Sequence, residues 1–493
     1  MNICFYLHYE TKQSESSFGG KKMQSQELIA STGWNPAEWA QKQFGGAYLG
    51  DRRRTKTLVE MGEAIIRHPD APLPQQMGNW NRLKRAYGLL RNDKVTFEEQ
   101  SRPVWGRTRE EAERRDIVLI IQDTTQLDYT KYNRIKGLGP IGNGKGRGML
   151  LHSALAVDPN EKEVLGMMYQ KVFLRKPAPA GEKSSYERQK RKRESEVWKE
   201  TVARINRPLF NDETVWVHVC DRGSDTFEFM EACRREGVDF LIRICQNRVI
   251  EIVDEATHEQ VKGHLLQYAR TLPPQTNWEV EVKGTHGRQA RITTVNAGWA
   301  PVSIQPPFHR KGRGEPIPVW VIRVWEAEEA PTGEEPLEWV LVTSVGVTNA
   351  EEVRERVFWY ENRWLVEDYH QCLKTGCRME ERALGTAQRL MRLLAVLSPV
   401  AVFLLQLREY ARWHPERLAA LSLPPELVRI VAYLGKMDSE QMTTLQFWHQ
   451  VARLGGYLGR EGDGPPGWKT LWRGWNYLLI LLEGIKLADL LYP

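Results

Sequence analysis

The stretch from Val357 to Glu380 reads VFWYENRWLVEDYHQCLKTGCRME. Neither Gly nor Pro interrupts it before Gly376, so the run predicts a single helix with Gly376 as its C-terminal stop. At about 100° per residue, Tyr360, Arg363, Glu367 and Lys374 fall inside an arc of roughly 60°. Phe358, Leu365, Val366, Tyr369 and Leu373 lie on the opposite side and form an apolar stripe that Asn362 spoils slightly. A phenol, a guanidinium, a carboxylate and an ammonium therefore stand in a row above a buried face. On spacing alone, a solvated charged face accounts for such a row. The same residue types also suit phosphate chemistry, because a carboxylate holds a divalent cation while Arg and Lys clamp phosphate oxygens.

The chain of 493 residues has room for about two or three domains. Its formal net charge of +6 permits nucleic-acid binding without demanding it. The cysteines (Cys4, Cys220, Cys233, Cys245, Cys372, Cys377) form no C-x-x-C pair and no zinc spacing, which points to reduced thiols in a cytosol. The N-terminus lacks the cationic start and apolar run of a secretory signal. Leu390 to Leu407 is about long enough to span a bilayer. Arg392, Pro399 and Gln406 interrupt it, however, and it reads as a buried helix pair, so no membrane is expected.

Residues 1–32 are polar and aperiodic and read as a poorly ordered extension. From Trp34 the pattern is helical. Asp51 is placed to cap a helix whose first turn is Arg52, Arg53 and Arg54. Positive charge there opposes the helix dipole unless an anion docks, and DNA phosphate is the natural anion for Arg53 and Arg54. Asn79 to Asn92 forms a second basic helix.

Around Asp116 the period changes. Ile117 to Ile121 is a continuous apolar run, as expected for a strand buried on both faces. It places Asp123 at the strand's C-terminal end, with Asp128 beyond that end. The Gly-rich, cationic segment 136–148 lacks the order G-x-x-x-x-G-K-[ST], so it reads as a mobile connection near DNA and no nucleotide cofactor is expected. Leu150–Val157 and Val164–Leu174 are further strands, and a basic run follows at Lys190–Arg193. Val215–Val219 delivers Asp221 in C-D-R-G-S-D, with Arg222 and Asp225 in the same turn. A helix (Thr226–Glu236) and a strand bearing Arg243 come next. The interval from Asp221 to Glu367 is too long for a loop in a compact domain. Strand-like pieces fill it at Trp278–Val282, Gln289–Val295, Pro318–Trp325 and Trp339–Ser344. After Tyr410 the chain is helical again.

The row Tyr360-Arg363-Glu367-Lys374, spaced Y-(2)-R-(3)-E-(6)-K, resembles the third acidic segment of DDE transposases of the insertion-sequence-four family, the group containing the transposon-five transposase. Asp123-Thr124-Thr125 is similar to the family's first acid followed by T-T. The turn at Asp221, Arg222 and Asp225 resembles its D-R-E-A-D, from which Gly223 and Ser224 depart. AYLGDRRRT (Ala47 to Thr55) is similar to the family's end-recognition segment, although a further family arginine falls on Thr57.

The resemblance implies an α/β fold with a ribonuclease-H-like catalytic core at 106–410 and a β insertion at about 246–346. A helical DNA end-binding domain (33–105) and a helical dimerisation domain (411–493) would flank it. Asp123, Asp221 and Glu367 would be catalytic and hold two Mg²⁺ ions per site, for which Mn²⁺ substitutes. Tyr360 and Arg363 would hold the phosphate of a displaced nucleotide and Lys374 the transferred-end backbone. Arg222 and Arg243 would be further DNA contacts. Trp339 would meet a flipped base, or else be a buried strand residue. The implied activity is cut-and-paste transposition: end nicking, hairpin formation and opening, and strand transfer into target DNA. A homodimer would pair two double-stranded transposon ends, in the cytoplasm at the nucleoid of a prokaryote. The alternative is a catalytically inactive, dimeric DNA-binding protein derived from such an enzyme, and the presence of all three acids argues against it.

Overall fold

In the computed structural model, which describes residues 5–6, 35–176, 193–211, 213–253, 260–282, 290–308, 314–460 and 463–491, helical segments lie on either side of a mixed sheet in the chain order. The strands are β1 (Phe5–Tyr6), β2 (Ile117–Asp128), β3 (Gly139–Ile141), β4 (Gly146–Asp158), β5 (Glu163–Phe173), β6 (Val215–Cys220) and β7 (Asp239–Arg243). They continue with β8 (Val249–Val253), β9 (Gln260–His264), β10 (Thr276–Val282), β11 (Arg291–Ile304), β12 (Ile317–Glu326) and β13 (Glu338–Thr343). Their order across the sheet is β1-β10-β11-β12-β13-β7-β6-β2-β4-β3, with β5 added on β4. β6 runs parallel to both β2 and β7, whereas β4 is antiparallel to β2 and to β5. The strands between Asp221 and Glu367 thus extend the same sheet outward from β7 through β13.

Side-chain alternation explains why β2 reads as an unbroken apolar run. Leu119 and Ile121 belong to one hydrophobic cluster, Val118 and Ile120 to the other, and all four are fully buried. Helices cover both faces, so every position from 118 to 121 must be apolar. Val217 and Val219 on β6 and Leu241 on β7 face the first cluster, with Leu119. By the same period of two, Asp123, Asp221 and Arg243 continue that face at the strand ends.

Several expectations are corrected by the structure. β2 does not end at Asp123: antiparallel pairing with β4 carries it to Asp128, opposite Gly148. Only the parallel pairing with β6 stops at Gln122 opposite Cys220. The Gly-rich segment is not a loose connection but the hairpin of β3 and β4, closed by Gly142 and Gly144 at positive φ. Gly148 has no room for a side chain, since a Cβ would lie 2.1 Å from the Leu127 carbonyl oxygen. Leu390–Leu407 is part of one continuous helix, Ala387–Trp413, not a pair, and it passes through Pro399 and across residue 410. Proline removes one helical hydrogen bond; packing compensates, with the helix buried along most of its length. Arg392 anchors it by donating to the Val95 and Leu90 carbonyls at 2.6 and 2.9 Å. Of residues 1–32 only Phe5–Tyr6 is described, and it joins the edge strand β10. Of the basic run, Lys190, Arg191 and Lys192 lie outside the described residues.

The expected cap at Asp51 is present, and Asn79 caps the second basic helix. Asp51 accepts the Arg53 N–H at 2.8 Å to start the helix Arg52–Arg67, and Asn79 accepts the Arg82 N–H at 3.0 Å to start Trp80–Arg91. At the C-terminal end lie the helices Pro425–Gly435, Thr444–Leu454 and Trp468–Leu491.

Candidate active site

Register brings the first two acids together. Gln122 and Cys220 are the last partners in the parallel pairing of β2 and β6, so Asp123 and Asp221 are the next residues on adjacent strands. Asp123 Oδ1 accepts the N–H of Thr124 at 2.7 Å, while Asp221 leaves the sheet in a tight turn whose Gly223 N–H it accepts at 2.8 Å. That turn is pinned by Asp225, whose side chain is fully buried. Asp225 accepts the N–H groups of Cys245 and Gln246 at 2.8 and 2.7 Å and Nε of Arg248 at 2.8 Å. The turn bearing Asp221 is therefore tied to the segment that follows Arg243. The sequence marked Asp225 as part of the turn, though not this bracing role.

The single helix predicted from Val357 to its stop at Gly376 is three pieces: a helix Ala350–Glu361, a helix Trp364–Gln371 and a five-residue π-turn Cys372–Gly376. Asn362 causes the first break, donating its side-chain amide to the Phe358 carbonyl at 2.8 Å while the Arg363 N–H bonds Tyr360 in a tightened turn. The polar row is not a solvated face either. Tyr360 is 3% and Arg363 4% exposed, and the apolar stripe of Leu365, Val366, Tyr369 and Leu373 is buried as expected.

Arg363 is the centre of the arrangement. Its Nη1 donates to Glu367 Oε1 at 2.8 Å, and its guanidinium lies 4.6 Å over the Trp364 ring. A recess is lined by Asp221, Arg222, Arg243, Trp339, Tyr360 and Arg363, together with Trp364. Trp339 is buried on β13 and meets Tyr360 edge-on, with centroids 5.1 Å apart. Arg243 donates to the Glu338 carbonyl at 3.2 Å, and Arg222 is exposed.

Electrostatics mark the acids as a coupled group. Burial, and then the charge of Asp221, pushes the Asp123 carboxyl up to about 7, against the opposing pull of Arg363. Burial also raises Glu367, again opposed by Arg363 and reinforced by Asp221. Burial pushes the Tyr360 phenol up to about 12, so it is a neutral donor at pH 7.

Other expected residues stand elsewhere. Lys374, on the π-turn, pairs with Glu380 at 3.7 Å, and Glu380 accepts the Asp128 N–H at 2.8 Å. Asp128 itself, the last residue of β2, accepts the Thr130 N–H at 2.8 Å. Two residues were missed. His370 Nδ1 lies 3.9 Å from Asp123 Oδ2, a position legible as three residues after Glu367 on one helix face. Asp368 turns to Arg408 and Trp468, a contact that nothing local in the sequence announces.

In the N-terminal helices, Arg52 and Arg53 are exposed, whereas Arg54 is half-buried and donates to the Leu49 carbonyl at 2.8 Å. Tyr48 and Trp80 present exposed aromatic rings nearby in the chain. Thr57 is buried, its hydroxyl bonded to the Arg53 carbonyl, so it offers no outward contact in place of the family arginine.

Two protein-family models match this chain. Residues 36–95 match a model described as Transposase DNA-binding. Residues 400–491 match one described as Transposase Tn5 dimerisation domain. Together the two matches support a Tn5-like transposase. The first match covers Asp51, the three arginines and the basic helix Trp80–Arg91, and it assigns DNA binding to that end of the transposase. The second begins within the helix Ala387–Trp413 and runs to the end of Trp468–Leu491, and it assigns self-pairing to the transposase's other end.

Proposed function

We propose that this transposase is a DDE enzyme catalysing cut-and-paste transposition by metal-dependent phosphoryl transfer, with Asp123, Asp221 and Glu367 as its acids. The observation that carries the reading is that Asp123 and Asp221 directly follow Gln122 and Cys220, the last in-register pair of the parallel strands β2 and β6, while the Glu367 charge acts on Asp123 and that of Asp221 on Glu367. The order β5-β4-β2-β6-β7, with β2, β6 and β7 parallel, is the one a ribonuclease-H-like core requires, and it supports that division of the chain.

The donor set suits hard divalent cations. Three carboxylates in a partly buried place repel one another, and burial, then the charge of Asp221, drives Asp123 toward its neutral form. Among the described residues no three His, Cys, Asp or Glu side chains are gathered as ligands of one ion, and Glu367 is held by Arg363. Release of Glu367 from that pair would let it join Asp123 and Asp221. Mg²⁺ or Mn²⁺ bound there supplies Lewis-acid stabilisation for in-line displacement at phosphorus.

The residues around the recess supply binding and orientation. Arg363, once free of Glu367, offers a planar fork for phosphate oxygens. Tyr360 donates a neutral hydrogen bond beside it, and Arg243 and Arg222 extend the positive lining toward Asp221. Trp339 holds Tyr360 in place through its buried ring, so a base would reach it only after local rearrangement. Nicking, hairpin formation and opening, and strand transfer are then successive displacements at one site, with two protomers pairing two ends.

A second reading, a dimeric DNA-binding protein that does not cut, is favoured by the Arg363–Glu367 pair, which engages the third acid with a cation of the chain itself. Cleavage of DNA carrying the element's terminal sequence, with Mn²⁺ or Mg²⁺, separates the two. Nicks from the native protein and none from Glu367→Gln, with equal DNA binding, are the expected result. Binding without cleavage by the native protein would establish the second reading instead.

A further inference from the structure

Consecutive side chains of the helix Trp364–Gln371 leave it toward different partners. Glu367 turns to Arg363 at 2.8 Å. Tyr369 donates its hydroxyl to Ser398 at 3.1 Å and accepts from Gln170 at 2.8 Å. His370 Nε2 lies 3.3 Å from the Ser153 hydroxyl. Asp368 alone turns to the last helix: its Oδ1 accepts the indole N–H of Trp468 at 3.1 Å, and its Oδ2 is bonded by Arg408.

The Arg408 guanidinium also lies 3.7 Å over the Trp468 ring, and that ring stacks on Trp472 with centroids 5.8 Å apart and planes 16° from parallel. Trp472, one turn further along, covers Gly376, where a Cβ would come within 2.6 Å of the indole. Gly376 closes the π-turn that carries Lys374. Adjacent turns of one helix therefore grip both ends of the segment from Glu367 to Lys374, Trp468 through Asp368 and Trp472 through Gly376. A charge-assisted hydrogen bond and a close ring contact are both directional, and a rigid helix moves its two tryptophans together. The same helix exposes Tyr477, Ile480, Leu487 and Leu490 along its length.

We infer that Trp468 and Trp472 are positioning residues for Glu367 and Lys374, so that the last helix of the dimerisation module sets where the third acid stands; this rests on the catalytic reading given above. Docking of a second copy against that helix then acts on the acid through two tryptophans and Asp368. The helix Trp364–Gln371 is the link between pairing and cleavage.

The test uses the full-length protein with Trp468→Phe, which keeps an aromatic ring to stack on Trp472 and removes the indole N–H together with its five-membered ring. Two quantities are read: the Mn²⁺ concentration for half-maximal cleavage, and Mn²⁺ binding to the DNA-free protein, followed by loss of the free ion's electron-spin resonance signal. Melting temperature, dimer fraction and DNA affinity are expected to stay within twofold or a few degrees of native, while both Mn²⁺ midpoints rise about 10-fold. Gly376→Ala pushes Trp472 from the other end and is expected to move both midpoints the same way; it carries the test should Trp468→Phe misfold. A merely structural loss would lower the amplitude of cleavage and leave the midpoints alone. Unmoved midpoints in the folded variants would overturn the positioning role. A native protein that binds Mn²⁺ no better than Glu367→Gln would instead overturn the catalytic reading itself.

Discussion

Asp123 is the residue at which charge, burial and register meet. Its carboxyl is pushed up to about 7, first by burial and then by Asp221, whereas an unfolded chain would ionise it near 4. Native protein therefore holds one proton more than unfolded protein between those values. The stability this confers is fully present below about pH 4, is lost as pH rises through 7, and amounts to at most about 4 kcal/mol. Asp123→Asn removes the dependence, so the melting temperature of the variant relative to native is expected to be several degrees higher at pH 8 than at pH 5. Mg²⁺ at pH 8 should raise the native melting temperature and leave the variant's unchanged. Thermal melts at both pH values, with and without the ion, check this, and a pH-independent gap would contradict it. Tyr360 allows a complementary test. Tyr360→Phe keeps the edge-on contact with Trp339 and loses only the phenolic donor beside Arg363. Stability should change by less than about 1 kcal/mol, while end-DNA affinity or cleavage falls about 5- to 10-fold; melts and gel-shift titrations measure the two separately.

At the scale of elements, the helix Arg52–Arg67 shows how stability and function diverge within one turn. Asp51→Ala deletes the cap that satisfies the Arg53 N–H, so a loss of about 1 kcal/mol is expected in denaturant melts. Arg53→Ala touches a side chain 95% exposed and should leave stability unchanged. It should instead weaken DNA binding uniformly across sequences and lower the salt slope by about 1, seen in titrations from low to moderate salt. Equal salt slopes would remove Arg53 from the DNA surface. Elements of this kind were legible because their signals are local: a capping Asp, a basic helical stretch, an apolar run buried on both faces. What the sequence did not disclose depends on distant partners. The break at Asn362 is the local exception, a side-chain amide bonded to the Phe358 carbonyl four residues back. The length of β2 is set by β4, which pairs onward to Asp128 after β6 has ended. The Gly-rich hairpin forms because β4 gives β3 an edge to pair with, and glycines absorb the positive φ that closes it. Among the site residues, Asp123, Asp221 and Glu367 could be picked out individually, yet the Arg363 grip on Glu367 and the Asp368 contact with Trp468 needed the packing of far-apart segments.

For the molecule as a whole, the two matched modules lie at opposite ends of the chain, DNA binding within 36–95 and self-pairing within 400–491, with the acids between them. The last helix divides its surface accordingly. Leu471, Trp475, Leu478 and Leu482 are buried against the body of the chain, whereas Ile480 is 56% and Leu487 57% exposed. An exposed apolar stripe on a self-pairing module is where a two-fold contact would bury apolar area, and a pair of charges facing their own copies across the axis would oppose it. The double variant Ile480→Asp and Leu487→Asp is therefore expected to shift the protein from dimer to monomer in sedimentation velocity. Its melting temperature should fall only by the loss of mutual stabilisation between protomers, because neither side chain belongs to the core. Binding of a single DNA end should persist, since the N-terminal helices are untouched, while complexes holding two ends disappear from native gels. A monomer that still assembles two-ended complexes would place the pairing contact on some other surface of the chain. A dimer that survives both charges would do the same, and would leave the outer face of the last helix free of any part in transposition.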